Sequence, residues 1–180
     1  HADNLHMDVW YKGENILCDA GSYKYNTDEE TVKYFAGTES HNTVMLDDRD
    51  QMLKGPRFIW LNWSQAINAS LTETDNCYIF DGSVSCFTFL DKDIMHRRKI
   101  IKKKNEPEWI VEDELLQKPE GMTMRQLWHS PGERVRFTSR GIDPTTKEGW
   151  RSLYYGVKEP VPQIEFHTTD QLIETTIKLI

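Results

Sequence analysis

The chain has 180 residues, with 22 Lys and Arg against 29 Asp and Glu, a formal net charge of −7. Hydrophobic residues make up 38% of it and include six Trp, seven Tyr and seven Phe, enough to bury a core, so global disorder is excluded. The acidic balance argues against a nucleic-acid or anionic-membrane surface, and no apolar run approaches the ~18 residues that would span a bilayer.

Leu5, Met7, Val9 and Tyr11 alternate with His6, Asp8 and Trp10, the period of a half-buried strand. Lys12-Gly13-Glu14-Asn15 turns the chain, and residues 16–19 return as a short second strand. Residues 28–35 alone have helical character, with Asn26 or Thr27 as N-cap and acids in the first turn. Strands are then expected over residues 43–46, 57–63, 65–71, 77–80, 86–90, 95–102, 109–116, 123–129, 134–138, 152–155, 164–168 and 172–179. Turn signals separate them, among them Asp81-Gly82, Glu106-Pro107, Ser130-Pro131-Gly132 and Glu159-Pro160.

Many short strands at near-regular spacing predict an all-β fold, a two-layer antiparallel β-sandwich with one short helix near the N-terminus. No repeat or linker divides the chain, so residues 1–180 read as one domain. The basic run over residues 97–104 is followed by an acidic run over 106–114, as expected of neighbouring antiparallel strands with opposite charges on their solvent faces. Cys18, Cys77 and Cys86 are an odd number without CxxC spacing and read as small buried hydrophobes, which leaves the compartment open.

Unusual polar residues concentrate in the first third. His1, Asp3, His6 and Asp8 lie on or before the first strand, Asp19 ends the second, and His41-Asn42-Thr43 opens the next. Two histidines and a carboxylate from separate strands form a minimal zinc set, with water completing the tetrahedron, although such spacing alone is common. His6 also reads as an ordinary strand residue, and His96, His129 and His167 as structural. Core packing accounts for most of Trp10, Trp60, Trp63 and Trp150, while sugar stacking is the alternative.

The ordered combination His1-Ala2-Asp3-Asn4-Leu5, Gly13-Glu14, Asp19-Ala20-Gly21-Ser22-Tyr23, Tyr34-Phe35 and His41-Asn42-Thr43-Val44 resembles the heparinase II/III-like domain. His96-Arg97-Arg98, Trp109-Ile110-Val111-Glu112-Asp113 and Gln126-Leu127-Trp128-His129 extend the resemblance over essentially the whole chain. In that family the domain is the sandwich portion of polysaccharide lyases acting on glycosaminoglycans and alginate. The resemblance implies a structural zinc ion held by His1, Asp19 and His41. It also puts Tyr34 near substrate as the candidate catalytic residue, with Tyr25 as runner-up and helix packing as the plainer role. Asn42 and Arg49 become candidate substrate-binding residues, Asn42 having the local turn as its competing role.

The departures from the family pattern concern activity. A catalytic histidine two residues before the His-x-Asp motif would precede His1, and the α/α toroid domain that precedes the sandwich would supply a tyrosine and a group that neutralises the uronate. The expected partners are that domain and an acidic polysaccharide substrate, with no nucleic acid and no membrane span. The fragment alone is expected to be inactive, and a periplasmic or secreted location is what the resemblance implies. The alternative is a non-catalytic carbohydrate-binding or structural domain of a polysaccharide-biosynthesis protein.

Overall fold

The computed structural model describes residues 1–180. The first half of the chain contains β1 (Val9–Tyr11), β2 (Glu14–Leu17), helix α1 (Glu29–Ala36), a 3-10 turn (Thr38–Ser40), β3 (Val44–Leu46), β4 (Leu53–Lys54), β5 (Trp60–Leu61), β6 (Gln65–Glu73) and β7 (Cys77–Ser85). The second half contains β8 (Met95–Lys103), β9 (Glu108–Leu116), β10 (Met124–His129), β11 (Val135–Ser139), β12 (Thr145–Tyr154), β13 (Val157–Thr168) and β14 (Leu172–Leu179). Two sheets dominate, one ordered β12-β13-β10-β3 and the other β11-β14-β9-β8-β7-β6, with β1-β2 and β4-β5 as separate hairpins. All pairings are antiparallel, and the fold is the all-β sandwich expected from the strand pattern.

Alternation along each strand builds the core. Trp109, Val111 and Leu115 of β9 and Ile173 and Ile177 of β14 join Met124 and Trp128 of β10, Phe166 of β13 and Val44 and Leu46 of β3 in one buried cluster. Each such side chain contributes roughly 1.5–3 kcal/mol on burial. The opposed charge runs pair in register, Arg97 opposite Glu114 and Lys99 opposite Glu112, and form half-buried ion pairs at 3.7 and 3.4 Å. The intervening Arg98 and Asp113 point the other way and are fully buried, so the solvent-face reading holds for only half of the two runs.

Several boundaries differ from expectation. The N-cap of α1 is Asp28, whose carboxylate accepts the Thr31 amide, in place of Asn26 or Thr27. Residues 57–63 contain only the two-residue strand β5, and residues 86–90 form turns around Phe87, which takes a left-handed φ of 53°. Asp81-Gly82 does not turn but continues β7, and the Phe80 ring lies where a side chain on Gly82 would go, 2.6 Å from an added Cβ. Glu159-Pro160 lies within β13, at positions paired only with β12, where a missing amide costs no ladder bond to β10. Of the cysteines, Cys18 and Cys86 are buried and Cys77 is half-buried; burial pushes the Cys86 thiol up to about 12 and that of Cys18 to about 11.

Trp10, Trp60, Trp63 and Trp150 lie outside the core. Trp10 and Trp63 are each 67% exposed, and the buried tryptophans are Trp109 and Trp128.

Candidate metal centre

Residues 1–7 do not extend β1. They fold back across the chain, with Leu5 in the left-handed region at φ 58°. The Ala2 amide donates to Ala36 O at 2.9 Å and Ala2 O accepts Thr38 Oγ1 at 2.7 Å, which ties the chain start to the end of α1. Asn4 is clamped by Gln51 and Thr43, and Arg98 Nη1 donates to Leu5 O at 2.7 Å. These bonds deliver His1, Asp3 and His6 to the side of His41.

His41 follows the 3-10 turn. Gly37 is required before it: an added Cβ would lie 2.5 Å from Lys33 O and 2.8 Å from Asp50 Oδ1, the atom that accepts the Thr38 amide. His41 itself is fully buried, and its Nδ1 donates to Gly37 O at 2.8 Å. That bond places the ring proton on Nδ1 and leaves the Nε2 lone pair free. Around Nε2 stand His1 Nδ1 at 3.3 Å, Asp19 Oδ2 at 3.4 Å and Asp3 Oδ2 at 3.9 Å. Asp19 is aimed by its own turn, because Oδ1 accepts the Gly21 amide at 2.6 Å and so leaves Oδ2 toward the histidines. Gly21 has φ +74°, and an added Cβ would meet Ser152 O at 2.4 Å.

The ligand atoms of His1, Asp3 and His41 lie within 4.8 Å of one another; Asp19, the carboxylate of the expected set, is not part of that group but reaches His41 Nε2 at 3.4 Å. Two imidazole nitrogens and two carboxylates around a lone pair fixed by a backbone carbonyl are a donor set that fits Zn²⁺. The alternation over residues 5–11 predicts His6 on a strand, but β1 begins only at Val9. The Asn42 amide donates to its Nδ1 at 2.9 Å, so its proton is on Nε2, which lies 3.6 Å from Asp19 Oδ2. Burial, then the neighbouring His41, lowers the His6 pKa to about 4, and Nε2, which carries the proton of the neutral ring and has no hydrogen-bond partner, offers no lone pair to a metal.

The other expected site residues have different surroundings. Tyr34 is held under the 4-stranded sheet's edge, its hydroxyl oxygen accepting the Trp150 amide at 2.8 Å. Burial raises its phenol well above the usual range, and its ring packs edge to face on Phe35 of the same helix. Asn42 is fully buried, with Nδ2 donating to Met7 O and Cys18 O and Oδ1 accepting the His129 amide, and so it fixes three segments and cannot reach a sugar. Arg49 pairs with Asp47 at 3.0 Å in the loop after β3, away from the histidines' cleft. Tyr25, the runner-up, is 61% exposed and lines a pocket together with His1. His96 and His129 are buried and structural as expected; burial lowers His129 to about 3.

A family model described as "Heparinase II/III-like, C-terminal" matches residues 1–152. Among solved structures, the "Heparinase III-BT4657 gene product" superposes with a TM-score of 0.78 at 18% identity, over 99% of this chain and 30% of that one. A heparan sulfate lyase, HepC from Pedobacter heparinus, gives a TM-score of 0.78 at 15% identity with the same coverage. The chain thus spans about 30% of the length of these relatives. No curated protein matches.

Proposed function

The chain belongs to the heparinase II/III-like, C-terminal family, and on that premise we propose that it is the sandwich portion of a polysaccharide lyase that cleaves uronate-containing acidic polysaccharide by β-elimination. The match over residues 1–152 is the observation that carries this reading, and the heparan sulfate lyase among the structural relatives supports the substrate class. In β-elimination a base removes the proton at C5 of the uronate, a cation or hydrogen-bond donor neutralises the carboxylate, and an acid protonates the oxygen leaving C4.

His1, Asp19 and His41 would hold a structural zinc ion, with Asp3 as an additional carboxylate donor. Bound there, zinc would supply a fixed positive centre that ties the chain start, the Asp19 turn and the His41 segment together. Outside the cluster, the Tyr25 phenol lines the pocket that His1 also lines. One tyrosine does not provide base, acid and neutraliser together, so the 180 residues by themselves are proposed to bind substrate without turning it over. The remaining groups would come from an α/α toroid domain.

The test is the ultraviolet absorbance of the unsaturated product, followed with the protein at its full length on heparan sulfate, hyaluronan, chondroitin and alginate. Absence of product on all four, with binding retained, would overturn the lyase reading in favour of a carbohydrate-binding or structural domain.

A further inference from the structure

We propose that the cleft between α1 and the β4-β5 hairpin is a subsite for an anionic sugar unit, in which Lys24, Lys54 and Arg57 take the anionic group while Tyr25, Phe58 and Trp60 take the face of the ring. It rests on the lyase reading only for the identity of the polymer.

The charge pattern is the first observation. Eleven residues line this pocket, and they include three cations and no carboxylate, in a chain where acids outnumber Lys and Arg 29 to 22. A local concentration of one sign against the net charge of the molecule focuses the field on a ligand of opposite sign.

The aromatic side chains are the second observation. Phe58 is 73% exposed and Tyr25 61%, and their rings meet edge to face with centroids 5.9 Å apart. Neither belongs to the buried core, so packing does not account for them. Apolar rings beside cations match a uronate or sulfated pyranose, which offers an apolar C–H face and a charged substituent. A protein partner would need no excess of cations here.

The hairpin is also pre-shaped. Lys54 Nζ lies 5.3 Å from the centre of the Trp60 ring and donates to Gly55 O at 3.1 Å and to Arg57 O. The Gly55 amide donates to Ile59 O at 2.8 Å, and Arg57 sits in the left-handed region at φ 56°. A cation already placed against an aromatic face loses little freedom when an anion arrives. His1 lines the same pocket, so an occupant would lie against the metal cluster.

The experiment is calorimetric titration of the full-length protein with three hexasaccharides: heparan sulfate, unsulfated heparosan, and neutral cellohexaose. The two charged probes are expected to bind and cellohexaose is not. In Lys54→Ala/Arg57→Ala, affinity should fall about tenfold or more, the loss of one or two charge-assisted hydrogen bonds. A loss seen with both charged probes identifies the carboxylate as the recognised group, and one confined to heparan sulfate identifies the sulfo group. Trp60→Ala should weaken both, and KM should rise in all variants while kcat stays within about twofold.

Unchanged affinity in the double variant and in Trp60→Ala, with the circular dichroism of folded protein, would overturn the subsite even if product still forms. Altered thermal unfolding with unaltered sugar binding would also overturn it, and would mark the patch as a contact with protein. Binding that depends on Lys54 and Arg57 without any unsaturated product would sustain the subsite and remove the lyase reading.

Discussion

Arg98 meets Asp113 side-on, Nε to Oδ1 and Nη2 to Oδ2 both at 2.7 Å, and neither side chain is open to solvent. The third guanidinium nitrogen, Nη1, donates to Leu5 O at 2.7 Å and Asn42 O at 2.6 Å. One buried cation on β8 therefore holds two of the three segments that carry the candidate ligands, the chain start and the His41 segment. His96 Nε2 and Gln126 Nε2 complete the carboxylate's partners at 2.7 Å each. Burial alone would raise the Asp113 carboxyl, but the charge and hydrogen bonds of Arg98 outweigh it and hold it well below the usual carboxylate range.

Replacing Arg98 separates its two roles. Arg98→Met strands a buried carboxylate and is expected to cost about 3–5 kcal/mol in a urea unfolding series. Arg98→Lys keeps a positive charge but cannot reach Asp113 bidentately and Leu5 and Asn42 together. It should retain far-ultraviolet circular dichroism yet lose metal sooner than wild type in a chelator competition. Equal metal retention in the two proteins would show that the carbonyl contacts do not shape the cluster.

The tautomers at the cluster predict different outcomes for its two buried-side histidines. His41→Ala removes the lone pair at the centre, and elemental analysis should find zinc falling from about one ion per chain to near none. His6→Gln should keep its zinc, because the His6 Nδ1 accepts the Asn42 amide and the ring has no lone pair to offer toward the cluster. Equal zinc in wild type and His41→Ala would exclude the centre as placed here.

How far the sequence went can be read from particular residues. The opposed runs on β8 and β9 predicted a real strand pair, because alternation and charge agreed there. Residues 57–63 form an apolar run just as strong, but Phe58, Ile59, Leu61 and Trp63 are exposed, and an apolar run cannot tell a strand from a hairpin held out in solvent. His1, Asp19 and His41 were marked out by family pattern, not by spacing. Asp3 and His6 were missed as participants because the left-handed turn at Leu5 has no signature in a non-glycine residue. Asn42 and Tyr34 carried the right residue types for a site, and only burial shows them spent on the Met7, Cys18 and Trp150 backbone.

Glu165 predicts an acid-sensitive stability. It is nearly enclosed, with Arg125 at 3.0 Å, Lys147 at 2.9 Å, His167 at 2.7 Å and Gln163 at 2.8 Å, while Glu39 and Asp48 share the same two cations. Burial would raise its carboxyl, but Lys147 and Arg125 outweigh that and hold it at about 2 against an ordinary 4.5. A folded value below the unfolded one means that the unfolded chain binds the proton first. The stabilisation is therefore full above 4.5 and is lost as pH falls toward 2. Glu165→Gln should lower the urea midpoint at about pH 7 and flatten its decline on acidification, so that the two proteins converge at about pH 2. Parallel curves would show that other carboxylates carry the acid sensitivity.

The two tyrosines distinguish packing from proximity to substrate. Tyr34→Phe leaves the Trp150 amide without its acceptor in a half-buried position, which should cost about 1–3 kcal/mol. Tyr25→Phe removes a hydroxyl from an exposed ring, and its stability should stay within about 0.5 kcal/mol of wild type. If Tyr34 carried a proton in the reaction, its phenylalanine variant would lose turnover with folding and zinc intact. The geometry predicts the reverse: thermal unfolding moves in Tyr34→Phe while kcat per folded molecule holds. Any catalytic effect should appear in Tyr25→Phe, whose ring shares the cleft with His1. Measuring kcat and the unfolding midpoint on both variants side by side decides between them.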